Sequence, residues 1–350
     1  MARNGASAAF DVRASPAENV TPTSYNGRLE SVDVYITSQC NRRCTYCFLP
    51  VEFFASGARM SMDQFAGVVR WCQQQGVREV TLLGGEPSLH PSFADMISHA
   101  VGQQLEVRVV TNGARRFRRL LADPELRKGL SRVAVSLDTV DRAVQDQFRG
   151  LGAWQDAMDT LGLLREHEVP FDVNVTAVRP VLGGLDELIS FAEREGCRRV
   201  NIHWPSTMGL GSGLSADHIP GQDEWAALVR RIESRIERHP GFFVEIERGF
   251  LAEGEPLSGC ALADFSNLEV MPDGRAYRCG LLVDQPAMAS LTMAGDELRL
   301  SRPGHGEALL LSTMPPSCDG CPVMRAEGRR ACIFDKASSL SLGVTGQVSR

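Results

Sequence analysis

The chain has 350 residues, 43% hydrophobic and 23% charged, a balance that excludes wholesale disorder and fibrous repeats. Its 37 basic and 43 acidic residues give a net charge of −6, which argues against coating nucleic acid or a membrane surface, since both need a positive field. No run of about 18 apolar residues occurs and no signal peptide is evident, so a cytoplasmic protein with no membrane partner is expected.

Residues 1–28 are rich in Ala, Ser, Asn and Pro and read as a flexible arm. Apolar, β-branched runs then recur at SVDVYIT (31–37), EVTLLG (79–84), EVRVVTN (106–112), RVAVSLD (132–138), FDVNVTAV (171–178) and RRVNIHW (198–204). Helical spacing marks 62–75, 153–167, 185–195 and 222–238 between and after them. Six strand-then-helix units predict an α/β fold with a parallel sheet and right-handed crossovers over residues 29–240.

After Gly241 the pattern changes. FFVEIE (242–247) alternates like a strand, and LEVMPDGRAYRC (268–279) reads as a hairpin turning at Pro272-Asp273-Gly274. The remainder is short and rich in Gly, Pro and Cys. Residues 241–335 are therefore expected to form a small appended domain held together by cysteine-bound metal, and 336–350 a flexible tail.

Ten cysteines in a reducing compartment read as metal or redox ligands rather than disulfides. Cys72 and Cys197 stand alone within apparent helices and are expected to be small buried apolar residues. Cys40, Cys44 and Cys47 form a C-x3-C-x2-C run just after the first strand. Three thiolates on one loop hold three corners of a metal site and leave one corner open. A structural zinc site closes with four ligands, whereas a three-cysteine iron–sulfur cluster keeps one iron for substrate.

This run, with Tyr46 before its last cysteine, resembles the defining motif of the radical S-adenosylmethionine (SAM) enzymes. Gly84-Gly85-Glu86-Pro87, at the end of the second strand, resembles that family's GGEP motif. Thr111-Asn112-Gly113 and Ser136-Leu137-Asp138 close the next two strands, and Arg149-Gly150 precedes an Ala-Trp helix start, as in members carrying an appended cluster domain. The resemblance implies a partial (β/α)6 TIM-type barrel with its site at the C-terminal strand ends. It implies a [4Fe–4S] cluster on Cys40, Cys44 and Cys47, with SAM chelating the open iron. Gly84, Gly85, Glu86 and Pro87 would lie at the SAM ammonium, Ser136 at the ribose or carboxylate, and Arg149 at the carboxylate. Tyr46 would pack near the adenine, with Asn112 and Asp138 also lining the cofactor.

Cys260-x13-Gly274-x4-Cys279, followed by Cys318, Cys321 and Cys332, resembles the SPASM or Twitch extensions that bind auxiliary [4Fe–4S] clusters. The full SPASM set is incomplete here. One auxiliary cluster on Cys260, Cys279, Cys318 and Cys321 is expected, with Cys332 as an alternative ligand; a zinc ribbon also fits these cysteines.

Other signals are weaker. ARRFRR (114–119) reads as a solvated helix face, and Met208–Gly213 as a mobile loop over the site. Asp138, Asn174 and His203 sit at or near C-terminal strand ends, where residues are expected to face substrate or line the cofactor pocket. The resemblance implies reductive SAM cleavage and hydrogen abstraction in natural-product assembly, with flavodoxin or ferredoxin as reductant. The substrate is a ribosomal peptide, though residues 1–28 are short for a leader-binding domain, or a sugar or nucleoside small molecule. Cyclisation of the molybdenum-cofactor type fits less well, because the C-terminal cysteines come in a different order. The competing reading is a non-catalytic iron–sulfur or zinc protein, an electron carrier or redox sensor.

Overall fold

The computed structural model describes residues 29, 31–238, 243–247, 268–277, 280, 283, 289–294, 297–301 and 339–342. The 1–28 arm and Cys260, Cys279, Cys318, Cys321 and Cys332 lie outside the described residues. The six predicted strands form in place: β1 (Ser31–Thr37), β2 (Glu79–Gly84), β3 (Glu106–Thr111), β4 (Arg132–Ser136), β5 (Phe171–Thr176) and β6 (Arg199–His203). Each pairs in parallel with the next, and β7 (Phe243–Glu247) continues the series beside β6.

Helices α1 (Val51–Ala55) and α2 (Met62–Gln74) cross from β1 to β2, and α3 (Phe93–Gly102) from β2 to β3. Then α4 (Arg115–Leu120) and α5 (Pro124–Lys128) lead to β4, and α6 (Arg142–Arg149) and α7 (Ala153–Glu166) to β5. Finally α8 (Leu185–Arg194) leads to β6 and α9 (Gln222–Arg238) towards β7. The start of α2 shows why these segments are helical. Ser61 Oγ accepts the Gln64 amide at 3.1 Å while Gln64 Oε1 accepts the Ser61 amide at 2.8 Å, a reciprocal cap.

Strand alternation divides the sheet into two faces. Val32, Val34, Ile36, Val107, Val109, Val133, Val135, Val173 and Val175 join the apolar core with helix residues such as Phe65, Phe117 and Leu188. Several of the intervening positions carry charge. Arg132 pairs with Glu79 at 3.2 Å and Asp172 at 3.4 Å, Arg108 reaches Asp172 at 3.8 Å, and Arg199 pairs with Glu245 at 2.9 Å. Burial pushes the Asp172 carboxyl above its ordinary range despite these arginines.

Two differences from the sequence reading concern the sheet edges. The predicted hairpin exists as β8 (Glu269–Val270) and β9 (Arg275–Tyr277), with Gly274 at φ +85° in its turn. It adds directly to the barrel, because β8 pairs in parallel with β1, and β10 (Ala289–Ala294) and β11 (Glu297–Ser301) extend that edge. At the other edge, part of the expected tail is a strand. The Ser-Leu alternation of β12 (Ser339–Leu342) pairs antiparallel with β7, satisfying an otherwise open ladder. The expected FFVEIE strand is therefore the seventh parallel strand, sandwiched between β6 and β12.

Candidate active site

The cysteine loop leaves β1 at Thr37 and enters α1 at Val51, so its position is set by β1 and by whatever grips residues 38–50. The GGEP segment supplies one grip. The Gly85 amide donates to the Thr37 carbonyl at 2.9 Å, and the Glu86 amide to that of Gln39 at 2.7 Å. A Cβ on Gly84 would lie 2.4 Å from the Thr37 oxygen; one on Gly85 would lie 2.4 Å from the Gln39 oxygen and 2.6 Å from Cys40 Cβ. Glycine is thus required here by the approach of the cysteine loop itself.

Glu86 is buried, and its carboxylate is engaged by protein donors. Oε1 accepts Ser88 Oγ at 2.6 Å and Thr111 Oγ1 at 2.8 Å, and Oε2 accepts the Asn112 amide at 2.8 Å. It pins the end of β2 to the end of β3, and burial raises its pKa in spite of those bonds. Buried Pro87 opens the short turn that follows.

The three cysteines are half-buried. Burial pushes the Cys40 thiol up to about 11 and the Cys47 thiol to about 12, and raises Cys44 as well; the charge of each neighbouring thiolate adds to the rise at Cys47. These thiols need a cationic partner to ionise. Among the described residues no three His, Cys, Asp or Glu side chains converge as a single-ion site. The donor set, three half-buried thiols on one loop, suits an iron–sulfur cluster.

Asn112, from the end of β3, donates Nδ2 to Cys40 Sγ at 3.7 Å and to Asn41 Oδ1 at 2.9 Å, while its buried Oδ1 has no partner. An orphaned acceptor beside Cys40 fits the ammonium or hydroxyl donors of a cofactor such as SAM.

Asp138, Arg149 and Tyr46 form one buried network. Arg149 Nε and Nη2 donate to the two Asp138 oxygens at 2.8 and 2.7 Å, and Tyr46 Oη donates to Asp138 Oδ2. The guanidinium carbon lies 5.3 Å from the Tyr46 ring centroid, and the charge of Asp138 raises the arginine pKa against the opposing effect of burial. Asp138 also accepts the Thr176 amide at 2.8 Å, tying β5 to the same point. The expected carboxylate clamp, Arg149, thus spends Nε and Nη2 inside the protein. Tyr46, expected at the adenine, is fixed by Asp138 and stacks on Phe148 at 6.5 Å.

Ser136 is in register with Asn174, and Asn174 with Asn201, whose Nδ2 donates to Asn174 Oδ1 at 2.7 Å. Paired residues share a face, so β4, β5 and β6 bring three polar side chains to one level; His203 pairs with Thr176 one step further along.

Residues that sequence reasoning missed secure the loop from the far side. Arg42 Nη1 donates to the Gly150 carbonyl at 3.1 Å and its Nη2 engages Asp156, which also takes Arg118 Nη1 at 2.8 Å. Arg118 belongs to the run expected to be solvated. Its side chain is instead packed against Asp156 and the Gly113 carbonyl. Only the place of Arg42 between two cysteines hinted at this.

Residues 34–190 match the family model described as the Radical SAM superfamily. The chain is 23% identical over 257 residues to a probable GTP 3',8-cyclase of Thermococcus kodakarensis, covering 70% of this chain and 83% of that protein. It is 26% identical over 204 residues to the PqqA peptide cyclase of Gluconobacter oxydans, covering 57% and 56% respectively. The fold superposes on Streptococcus suis SuiB bound to precursor peptide SuiA with a TM-score of 0.59 and 16% identity, covering 75% of this chain and 63% of SuiB. The chain thus spans less than two thirds of both the peptide cyclase and SuiB. Among the described residues no helix is long and apolar enough to cross a membrane. Residues 34–190 form a radical SAM domain, and the protein is a radical SAM superfamily enzyme.

Proposed function

We propose that Cys40, Cys44 and Cys47 hold a [4Fe–4S] cluster that cleaves SAM reductively, and that the enzyme abstracts hydrogen from a peptide in natural-product assembly. The observation that carries this is the cysteine loop, three half-buried thiols on one loop with an orphaned Asn112 Oδ1 beside Cys40. When bound, the cluster supplies one electron to the sulfonium of SAM, giving methionine and a 5'-deoxyadenosyl radical.

The chain's own groups orient and enclose. Gly84 and Gly85 seat the cysteine loop on the end of β2, and Glu86 fixes β3 so that Asn112 offers its acceptor to the ammonium group. Asp138 holds Arg149 through Nε and Nη2, which leaves Nη1 for a carboxylate of the cofactor. Ser136, Asn174, Asn201 and His203 line the substrate side. An auxiliary [4Fe–4S] cluster on Cys260, Cys279, Cys318 and Cys321, or with Cys332, belongs to the same proposal, as does a flavodoxin or ferredoxin reductant.

The peptide reading draws on the PqqA peptide cyclase and on SuiB with its precursor peptide. A nucleoside or sugar substrate is the second reading, favoured by the 83% coverage of the GTP cyclase.

The test is anaerobic reconstitution followed by SAM and dithionite. Formation of 5'-deoxyadenosine, with about eight irons per chain for two cubanes, supports the proposal. Simultaneous replacement of Cys40, Cys44 and Cys47 by alanine should abolish the product and remove about four irons. Zinc in place of iron, with SAM left intact, would sink it.

A further inference from the structure

The glycine-rich segment after β6, expected as a mobile loop, is fastened to the cysteine loop. It makes a short turn at Gly209–Gly213. The Leu210 amide donates to the Leu49 carbonyl at 3.2 Å, and the Gly211 amide to the Cys47 carbonyl at 2.9 Å.

The contact is closer than a side chain permits. A Cβ on Gly209, where φ is +56°, would lie 2.1 Å from the Phe48 carbonyl oxygen. One on Gly211 would lie 2.1 Å from the Ser206 oxygen and 3.3 Å from that of Tyr46. Every one of these neighbours is backbone, so no rotamer change relieves the overlap. Gly213, two residues on, has open space around it. The cysteine loop therefore requires glycine at 209, and the turn's own backbone at Ser206 requires it at 211. Behind them, His218 meets Phe148 edge-on at 4.9 Å, and Phe148 stacks on Tyr46.

We propose that Gly209 and Gly211 are positioning residues for Cys47. Their turn holds the Cys47 and Leu49 carbonyls and so sets the direction of the third thiol. The same turn joins the cysteine loop to β6, the strand that carries Asn201 and His203. This inference rests on the reading of Cys47 as a cluster ligand.

The experiment reconstitutes the full chain and its Gly209→Ala, Gly211→Ala and Gly213→Ala variants. Iron content and the EPR spectrum of the reduced cluster, with and without SAM, are the readouts. The first two variants should show an altered SAM-dependent spectrum and SAM cleavage slowed on the order of 100-fold, the cost of displacing a reacting group by about 1 Å. Gly213→Ala should match the unmodified chain. Hydrogen exchange on the unmodified chain guards against variants that fail to fold. The Leu210 and Gly211 amides should slow together when iron is loaded, and rates that ignore loading would overturn the inference. If the unmodified chain binds no iron at this loop, the cluster reading falls and the inference with it. If it binds iron and both alanine variants keep the unmodified spectrum, the inference alone falls.

Discussion

Tyr35 donates its hydroxyl to Glu269 Oε2 at 2.9 Å across 234 residues of sequence, fastening the C-terminal hairpin to the strand that leads into the cysteine loop. The other Glu269 oxygen accepts the Gly280 amide at 2.6 Å. Both side chains are buried, and Asp33 stands beside Glu269 in the register of β1 and β8.

Burial, with the charge of Asp33 behind it, pushes the Glu269 carboxyl up to about 8 from its ordinary 4.5. A carboxyl raised in the folded state adds stability that is complete below its unfolded pKa and lost as pH rises through the folded one. Thermal stability should therefore fall from about pH 5 to about pH 8, with a slope of up to about 1.4 kcal/mol per pH unit. Glu269→Gln should flatten that slope, leaving the part due to Asp33, whose pKa is raised in the same direction. Melting curves across this range provide the check, and an unchanged slope in the variant would contradict the assignment.

Gly85→Ala should cost about 1–3 kcal/mol and impair iron uptake, because the new methyl meets the Gln39 backbone and Cys40 Cβ. Gly162→Ala is the contrasting case. That glycine lies inside α7 with open space around it, so alanine should stabilise by about 0.5–1 kcal/mol. Denaturant titration of the two variants measures both effects.

Asp138→Asn removes one partner of a buried ion pair and leaves Arg149 uncompensated, for an expected loss of about 3–5 kcal/mol. It also weakens the acceptor for Tyr46. The KM for SAM should rise more than kcat falls if Arg149 binds the SAM carboxylate. A KM that does not move would assign the pair to stability alone.

Asp156→Asn weakens the bridge between Arg42 in the cysteine loop and Arg118 on α4. Amide exchange across residues 41–44 should accelerate while the β-strand core keeps its protection.

The parallel strands were legible because each is a run of β-branched residues bounded by helical periodicity, and that pattern is local. The cysteine motif and GGEP were legible for the same reason, as short spacings along one strand end. Cys72 and Cys197 are buried, as their isolation implied, though Cys197 lies between α8 and β6 and not within a helix. What escaped the sequence were partnerships between distant segments. The basic run at 114–119 gave no sign that Arg118 would meet Asp156, and nothing around Met208–Gly213 showed that it would clasp Cys47 and Leu49.

The sequence by itself determined the six strand-then-helix units and where the three thiols leave the sheet, since periodicity and ligand spacing act over a few residues. Tertiary structure alone decided which groups are already committed. Arg149 turns to Asp138, Glu86 to Thr111 and Asn112, and Glu269 to Tyr35, because a buried charge or carboxyl must find donors or counter-charges wherever the fold brings them within hydrogen-bonding reach.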